Sequence, residues 1–200
     1  MNELILATRN KNKVKEIKNL LKGIKVKIFT VDDFPFLPEV VENGKTLTEN
    51  AIKKAKTIAK KIHKIALADD SGLEVSMLGG APGVYSARFS GKGCTYADNN
   101  NKLLKLMKNV PINKRNAKFV CVVALAFPDE KIITVEGICK GKIADSSKGK
   151  QGFGYDPVFI PKGYNKTYAQ LGLKTKNKIS HRSLALEKIK KILLSLSIYN

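Results

Sequence analysis

The sequence predicts an α/β protein built on a mixed β-sheet flanked by helices. Three observations carry this. Short apolar runs alternate with segments of helical period. Two long segments, Ala117 to Phe127 and Lys131 to Cys139, meet across Pro128-Asp129-Glu130 and read as an antiparallel hairpin. Stretches carrying Gly and Pro, such as Val31 to Lys45 and Leu78 to Gly93, separate periodic segments, and α and β elements interleave along the chain.

Taken in order, Glu3 to Thr8 reads as a buried strand. Asn10 to Lys22 follows as a helix, with Val14, Ile17 and Leu21 on one stripe and Gly23 as its stop. Lys25 to Thr30 alternates apolar and polar residues and predicts a strand, and Val31 to Lys45, with Pro35, Pro38 and Gly44, a loop. Thr46 to Lys64 predicts a strong helix whose apolar face is Leu47, Ala51, Ala55, Ile58, Ala59 and Ile62. Ile65 to Asp70 reads as a short strand ending at Ser71-Gly72, with a second strand from Leu73 to Ser76. A Gly-rich loop from Leu78 to Gly93 leads to a helix over Tyr96 to Lys108. After the hairpin come a turn at Gly152 to Asp156, a short strand over Pro157 to Ile160, and a closing helix over Asn177 to Leu196.

Composition narrows the function. An apolar content of 43% is that of a globular protein. No apolar run approaches the roughly 20 residues of a membrane helix, and the segment from Met1 to Thr8 lacks the basic start of a signal peptide. The expectation is a single domain over residues 1–200, cytoplasmic and without a membrane partner. Cys94, Cys121 and Cys139 lie far apart, which suggests buried small apolar residues rather than disulfides or a zinc site. The net charge of +20 comes mostly from Lys spread over helices and loops. It reads as a solvated surface whose field also attracts a triphosphate, not as a nucleic-acid interface.

Four segments carry chemistry. In Thr8-Arg9-Asn10-Lys11-Asn12-Lys13 a buried strand runs straight into a helix, and free amides plus the helix dipole there attract phosphate. The plainer alternative is that Asn10 only caps the helix. Asp69-Asp70-Ser71 ends an apolar strand, and two carboxylates there need pairing, water or metal. Strand neighbours point to opposite faces, so one of the two enters a given site. Hard oxygen ligands suit magnesium; a turn Asp bonded to backbone is the alternative. Upstream, Glu49 is accounted for by a capping box with Thr46, whereas Glu42 lies in a loop and is free to reach a metal. In Gly152-Phe153-Gly154-Tyr155-Asp156 two glycines permit close backbone approach, Phe153 and Tyr155 offer aromatic faces to a base, and Asp156 an acceptor. Finally, His181 and Arg182 open the last helix, where positive charge opposes the dipole unless an anion or carbonyl is near. His63, among lysines, reads as surface.

Together these segments resemble the inosine/xanthosine triphosphate pyrophosphatase family. The matching stretches are Leu6 to Asn10 with Lys13, Thr46 to Ala51 with Lys54, Ala68 to Leu73, Leu78 to Arg88, Gly152 to Pro157, and Ser180 to Arg182. The resemblance implies an elongated mixed sheet with two lobes and a cleft between them, a homodimer, and Mg2+-dependent hydrolysis of ITP, dITP or XTP to the monophosphate and pyrophosphate. It further implies that Thr8, Arg9, Asn10, Lys11, Asn12 and Lys13 hold the triphosphate, with Lys54 as a further basic group there. Glu42 and Asp70 would bind the metal, with Glu39 the fallback for Glu42. Asp70 would also accept the water's proton, and Ser71 would touch substrate. Phe153, Gly154, Tyr155, Asp156, Lys176, His181 and Arg182 would form the nucleotide pocket. Position 9 is Arg where many members carry Gly, and Leu173-Lys174-Thr175 stands where relatives often carry acids. Two other readings remain: a related pyrophosphatase for modified pyrimidine or methylated purine nucleotides, and a basic nucleic-acid-binding protein.

Overall fold

The computed structural model describes residues 2–198; Met1, which opens the N-terminal segment discussed above, lies outside them. The strands are β1 (Asn2–Leu6), β2 (Val26–Thr30), β3 (Ile65–Val75), β4 (Asn116–Ala126), β5 (Ile132–Ile143) and β6 (Phe159–Pro161). The helices are α1 (Lys11–Leu20), α2 (Leu47–Ile62), α3 (Tyr96–Leu106), α4 (Tyr168–Ile179) and α5 (His181–Ile198). The strands form one six-stranded sheet in the order β2-β1-β3-β4-β5-β6. β1 runs parallel to both β2 and β3, whereas β5 and β6 are antiparallel, so the sheet is mixed as the sequence predicts. The hairpin turn between β4 and β5 is closed by Phe127 N–H on Lys131 O.

The chain forms two compact units from interleaved segments: Met1–Asp70, Cys121–Gly137 and Arg182–Asn200 in the first, Ser71–Val120 and Ile138–His181 in the second. In the first unit the period-two alternation of β-strands separates two cores. Ile5, Ala66, Ala68, Val122 and Ala124 pack with Ala51, Ala55, Ile58 and Ala59 of α2. Their strand neighbours Leu4, Leu6, Leu67, Val123 and Leu125 pack with Ile17 of α1 and Ala185, Leu186 and Ile189 of α5. Each fully buried Leu or Ile contributes about 1.5–3 kcal/mol by leaving water, so both sheet faces are firmly held. The second unit has its own core, in which Leu73, Leu103, Met107, Phe119, Val158, Phe159 and Tyr168 are buried.

The structure departs from the sequence reading in three places. The strand expected to stop at Ser71-Gly72 continues to Val75. Gly72 is not a break: a Cβ there would meet the Gly83 carbonyl oxygen at 2.5 Å, so the glycine admits a close backbone approach. The closing helix begins at His181, not Asn177, because Ser180 is extended (φ −74°, ψ 157°). A helix the sequence reading lacked, α4, precedes it; it is interrupted at Gly172 (φ 78°, ψ 170°), which spoils its period. Its start is nonetheless written in the chain: Thr167 and Gln170 form a reciprocal capping box. Among the described residues no helix is long and apolar enough to cross a membrane.

Candidate active site

In the first unit the alternation that separates the two cores also decides what the two adjacent aspartates do. Asp70 continues the face of Ala66 and Ala68 toward α2; Asp69 continues the face of Leu67 toward α1 and α5. On the α2 side, Lys54 Nζ lies 2.7 Å from Glu42 Oε1, 2.8 Å from the Asp69 carbonyl and 3.5 Å from Asp70 Oδ1. Lys54 reaches this point because it is buried at the edge of the apolar stripe of α2. Burial opposes the ammonium charge, but Asp70 and Glu42 outweigh it and raise the Lys54 pKa. At Asp70 burial wins over Lys54 and Lys13, so its carboxyl titrates above the usual range.

On the α1/α5 side Asp69, 1% exposed, accepts from Lys13 Nζ at 3.1 Å and from Arg182 Nε and Nη2 at 3.2 and 3.0 Å. Burial alone would push its carboxyl up; Lys13 and Arg182 reverse that and hold it well below the usual carboxylate range. Arg182 Nη1 also donates to Glu16, the acid of α1, which is itself buried. The anion that a positive charge at the start of α5 requires is therefore supplied by Asp69 and Glu16. Arg182, expected in the nucleotide pocket, has its guanidinium between Asp69 and Glu16, where it braces α1 and β3 against α5. The sequence reading missed Glu16; the signal was a lone acid among Lys11, Lys13, Lys15 and Lys18.

The loop before α1 is more occupied than its sequence suggests. Asn10 Oδ1 accepts from the amides of Asn12 and Lys13, so two amides expected to face phosphate are taken by the cap. Thr8 Oγ1 accepts from the Asn10 amide, which leaves the hydroxyl proton to be donated. Arg9 turns to the following loop, donating to Asp32 at 2.9 Å and to the Leu37 carbonyl at 3.0 Å, so it anchors that loop. Lys11 and Asn12 are exposed. The Glu49 carboxylate caps α2 through the Lys45 amide, and Glu39 is exposed, so Glu42 is the loop acid that meets Lys54. His63 closes α2 in the left-handed region.

In the second unit Phe153, Asp156 and Lys176 form one assembly. Lys176 Nζ lies 2.6 Å from Asp156 Oδ2 and 4.4 Å from the centre of the Phe153 ring. Asp156 also accepts from the Phe153 amide at 2.9 Å. Gly152 (φ +82°) makes this possible, since a Cβ there would sit 2.0 Å from Asp156 Oδ2. Asn100 fixes the Gly154 carbonyl at 3.0 Å. Phe153 keeps partial exposure, but Tyr155 does not: it is buried, with its hydroxyl 2.9 Å from the Ser86 carbonyl. Tyr155 is therefore core, which corrects the expectation of two aromatic faces. Burial pushes its phenol up. His181 stacks on Phe119, ring centres 4.5 Å apart and nearly parallel. Ser71 is half-buried at the start of the unit's stretch of β3. Of the cysteines expected to be buried, Cys121 and Cys139 are, and Cys94 is partly exposed.

No group of three or more His, Cys, Asp or Glu able to hold a metal occurs among the described residues. The pair Glu42 and Asp70 has the chemistry to hold a divalent cation. Both are hard oxygen donors converging on one ammonium, and Glu42 stays 38% exposed and so open to water.

Residues 4–192 match the model of the Ham1 family. The chain is 50% identical over 197 residues to the dITP/XTP pyrophosphatase of Desulforamulus reducens, covering 98% of each. It is 45% identical over 193 residues to that of Bacillus subtilis, covering 96% of this chain and 98% of the relative. The HAM1 protein structure from Coxiella burnetii superposes with a TM-score of 0.90 at 39% identity, over 98% of this chain and 100% of that one. The Staphylococcus aureus Ham1 structure does so with a TM-score of 0.87 at 37% identity, over 97% and 99%. In sequence and in fold alike, the chain belongs to the Ham1 family.

Proposed function

We propose that this chain hydrolyses non-standard purine nucleoside triphosphates (ITP, dITP, XTP) to the monophosphate and pyrophosphate. The observation that carries the reading is the convergence of Glu42 and the buried Asp70 on the buried Lys54 in the first unit, with Lys13 on the neighbouring aspartate. The names of the relatives support it.

The first unit carries the phosphate chemistry. Glu42 and Asp70 would hold magnesium, which would supply positive charge to the phosphates and acidify a water. Asp70 orients the attacking water and takes its proton, a role suited to a carboxyl whose pKa is raised. Oxygen adds to the α-phosphorus as the bond to the bridging oxygen breaks, and pyrophosphate leaves. Lys13 and Lys54 balance the charge gathering on the departing oxygens. Thr8 donates its hydroxyl, and the start of α1 adds its dipole. Asp69 acts on substrate through Lys13, by fixing where its ammonium sits. No side chain need form a covalent intermediate.

The second unit carries the nucleoside. Phe153 offers its half-exposed ring to the base, and Lys176 with Asp156 holds that ring in place. Hypoxanthine and xanthine present a C6 carbonyl where adenine has an amine. A donor from backbone or from His181 gives its hydrogen bond to the carbonyl and leaves an amine badly paired, a mismatch that buried sites reject by a factor on the order of 10⁴. The chain acts in the cytoplasm, as a homodimer and without nucleic acid.

The test is a panel of ITP, dITP, XTP, ATP, GTP and modified pyrimidine triphosphates, with pyrophosphate detection, with and without magnesium. Release from ITP and XTP far exceeding release from ATP, and lost without the metal, is expected. Equal kcat/KM for ITP and ATP would overturn the proposal. Light scattering giving a monomer would remove the dimer from it.

A further inference from the structure

A groove of about 840 Å³ lies on the second unit, lined by residues of β3, β4, β5 and β6 and the segment after β6. Its charge is one-sided: Lys118, Lys140, Lys142 and Lys162 line it against the single acid Glu74. That acid is already paired with Lys118 at 2.9 Å. Lys140 and Lys142 share one face of β5, because the alternate residues Cys139 and Ile143 are buried in the core. β6 ends at Pro161, opposite Gly141 of β5, and the next residue, Lys162, donates its amide to the Lys140 carbonyl at 2.9 Å. Lys140 and Lys162 are thus backbone neighbours at the groove, with Lys142 two residues along β5, and a bound anion relieves their mutual repulsion.

Between the lysines the wall changes character. Ile160, with Pro161 beside it, contributes an apolar floor, and Tyr164 stands at the rim, 37% exposed. A site for bare phosphate has no use for such a floor. The volume falls within the roughly 300–1,000 Å³ of small-molecule sites. An anionic tail with a flat apolar ring at one end matches both parts of the groove.

We propose that this groove is a second nucleotide-binding site, which lays a nucleoside triphosphate's phosphates along Lys140, Lys142 and Lys162 and its base against Tyr164 and the apolar floor. None of these residues belongs to the catalytic set, so the site binds nucleotide without turning it over.

The test counts equivalents of inosine 5′-(α,β-methylene)triphosphate bound in equilibrium dialysis with magnesium, for wild type, K140Q/K162Q and Asp70→Asn. The groove's equivalent disappears in K140Q/K162Q and persists in Asp70→Asn, whatever becomes of catalysis, so failure here is separable from failure of the proposed activity. Pyrophosphate release at saturating ITP is unchanged in K140Q/K162Q. Its melting temperature without ligand is at or above that of wild type, because that repulsion is gone. If K140Q/K162Q misfolds, Lys162→Gln alone, at an exposed position, replaces it with the same expected loss. Equal binding by wild type and the Lys variant overturns the proposal. So does inorganic tripolyphosphate occupying the groove as tightly as the nucleotide analogue, since charge alone would then be read.

Discussion

Replacing each of the two adjacent aspartates by asparagine separates stability from chemistry. Asp69 sits at 1% exposure between Lys13 and Arg182, with Glu16 on the far side of the guanidinium. Asp69→Asn keeps the volume but removes the charge, leaving two cations facing a neutral amide in a buried place. Breaking a buried ion pair by removing one partner costs about 3–5 kcal/mol. For a chain of this length each kcal/mol moves the melting temperature by roughly 2–4 °C, so a fall of roughly 6–20 °C is expected. Asp70→Asn should behave in the opposite way. Burial disfavours the Asp70 charge more than Lys54 and Lys13 favour it, and Lys54 keeps Glu42 at 2.7 Å. The ligand-free Asp70→Asn protein should melt at or slightly above wild type while losing nearly all turnover. Calorimetry and a pyrophosphate-release assay on both variants decide the matter. If Asp69→Asn melts like wild type, or Asp70→Asn melts far below it, the assignment of the two faces of β3 is wrong.

Three further outcomes are expected. Asp69 has a depressed pKa, so its stabilisation is complete above the unfolded value near 4 and is lost as pH falls below it; Asp70, with a raised pKa, gains stability relative to the unfolded chain as pH falls through its folded value. Melting curves of wild type and the two Asn variants should therefore differ most at neutral pH, with Asp69→Asn below wild type and Asp70→Asn at or above it, and converge on wild type from opposite sides as pH falls; parallel curves would refute this. Arg182→Ala should lower stability by about 3–5 kcal/mol, by stranding Asp69 and Glu16, and a denaturation midpoint near wild type would return Arg182 to the role of base reader. Lys54→Met should lower kcat for ITP by a factor on the order of 10² or more, with the substrate's KM changed less, and a pure KM effect would place Lys54 in ground-state binding alone.

The sequence alone determined the elements whose pattern is local. The apolar stripe of α2, the apolar runs and turn of the β4–β5 hairpin and the cap at Asn10 are each set by residues a few positions apart, and the structure places them within a few residues of expectation. It also determined that strand neighbours at Asp69-Asp70 must diverge. Tertiary structure alone decided what each then meets. Glu16 and Arg182 are 166 positions apart and Asp69 and Arg182 are 113 apart, so no window of sequence contains their pairing. The same is true of Tyr155, whose hydroxyl finds a carbonyl 69 positions away and turns an expected aromatic platform into core. Local propensity sets which way a side chain leaves the backbone; burial and the partner waiting there, brought in from distant chain, set whether it binds substrate or holds the protein together.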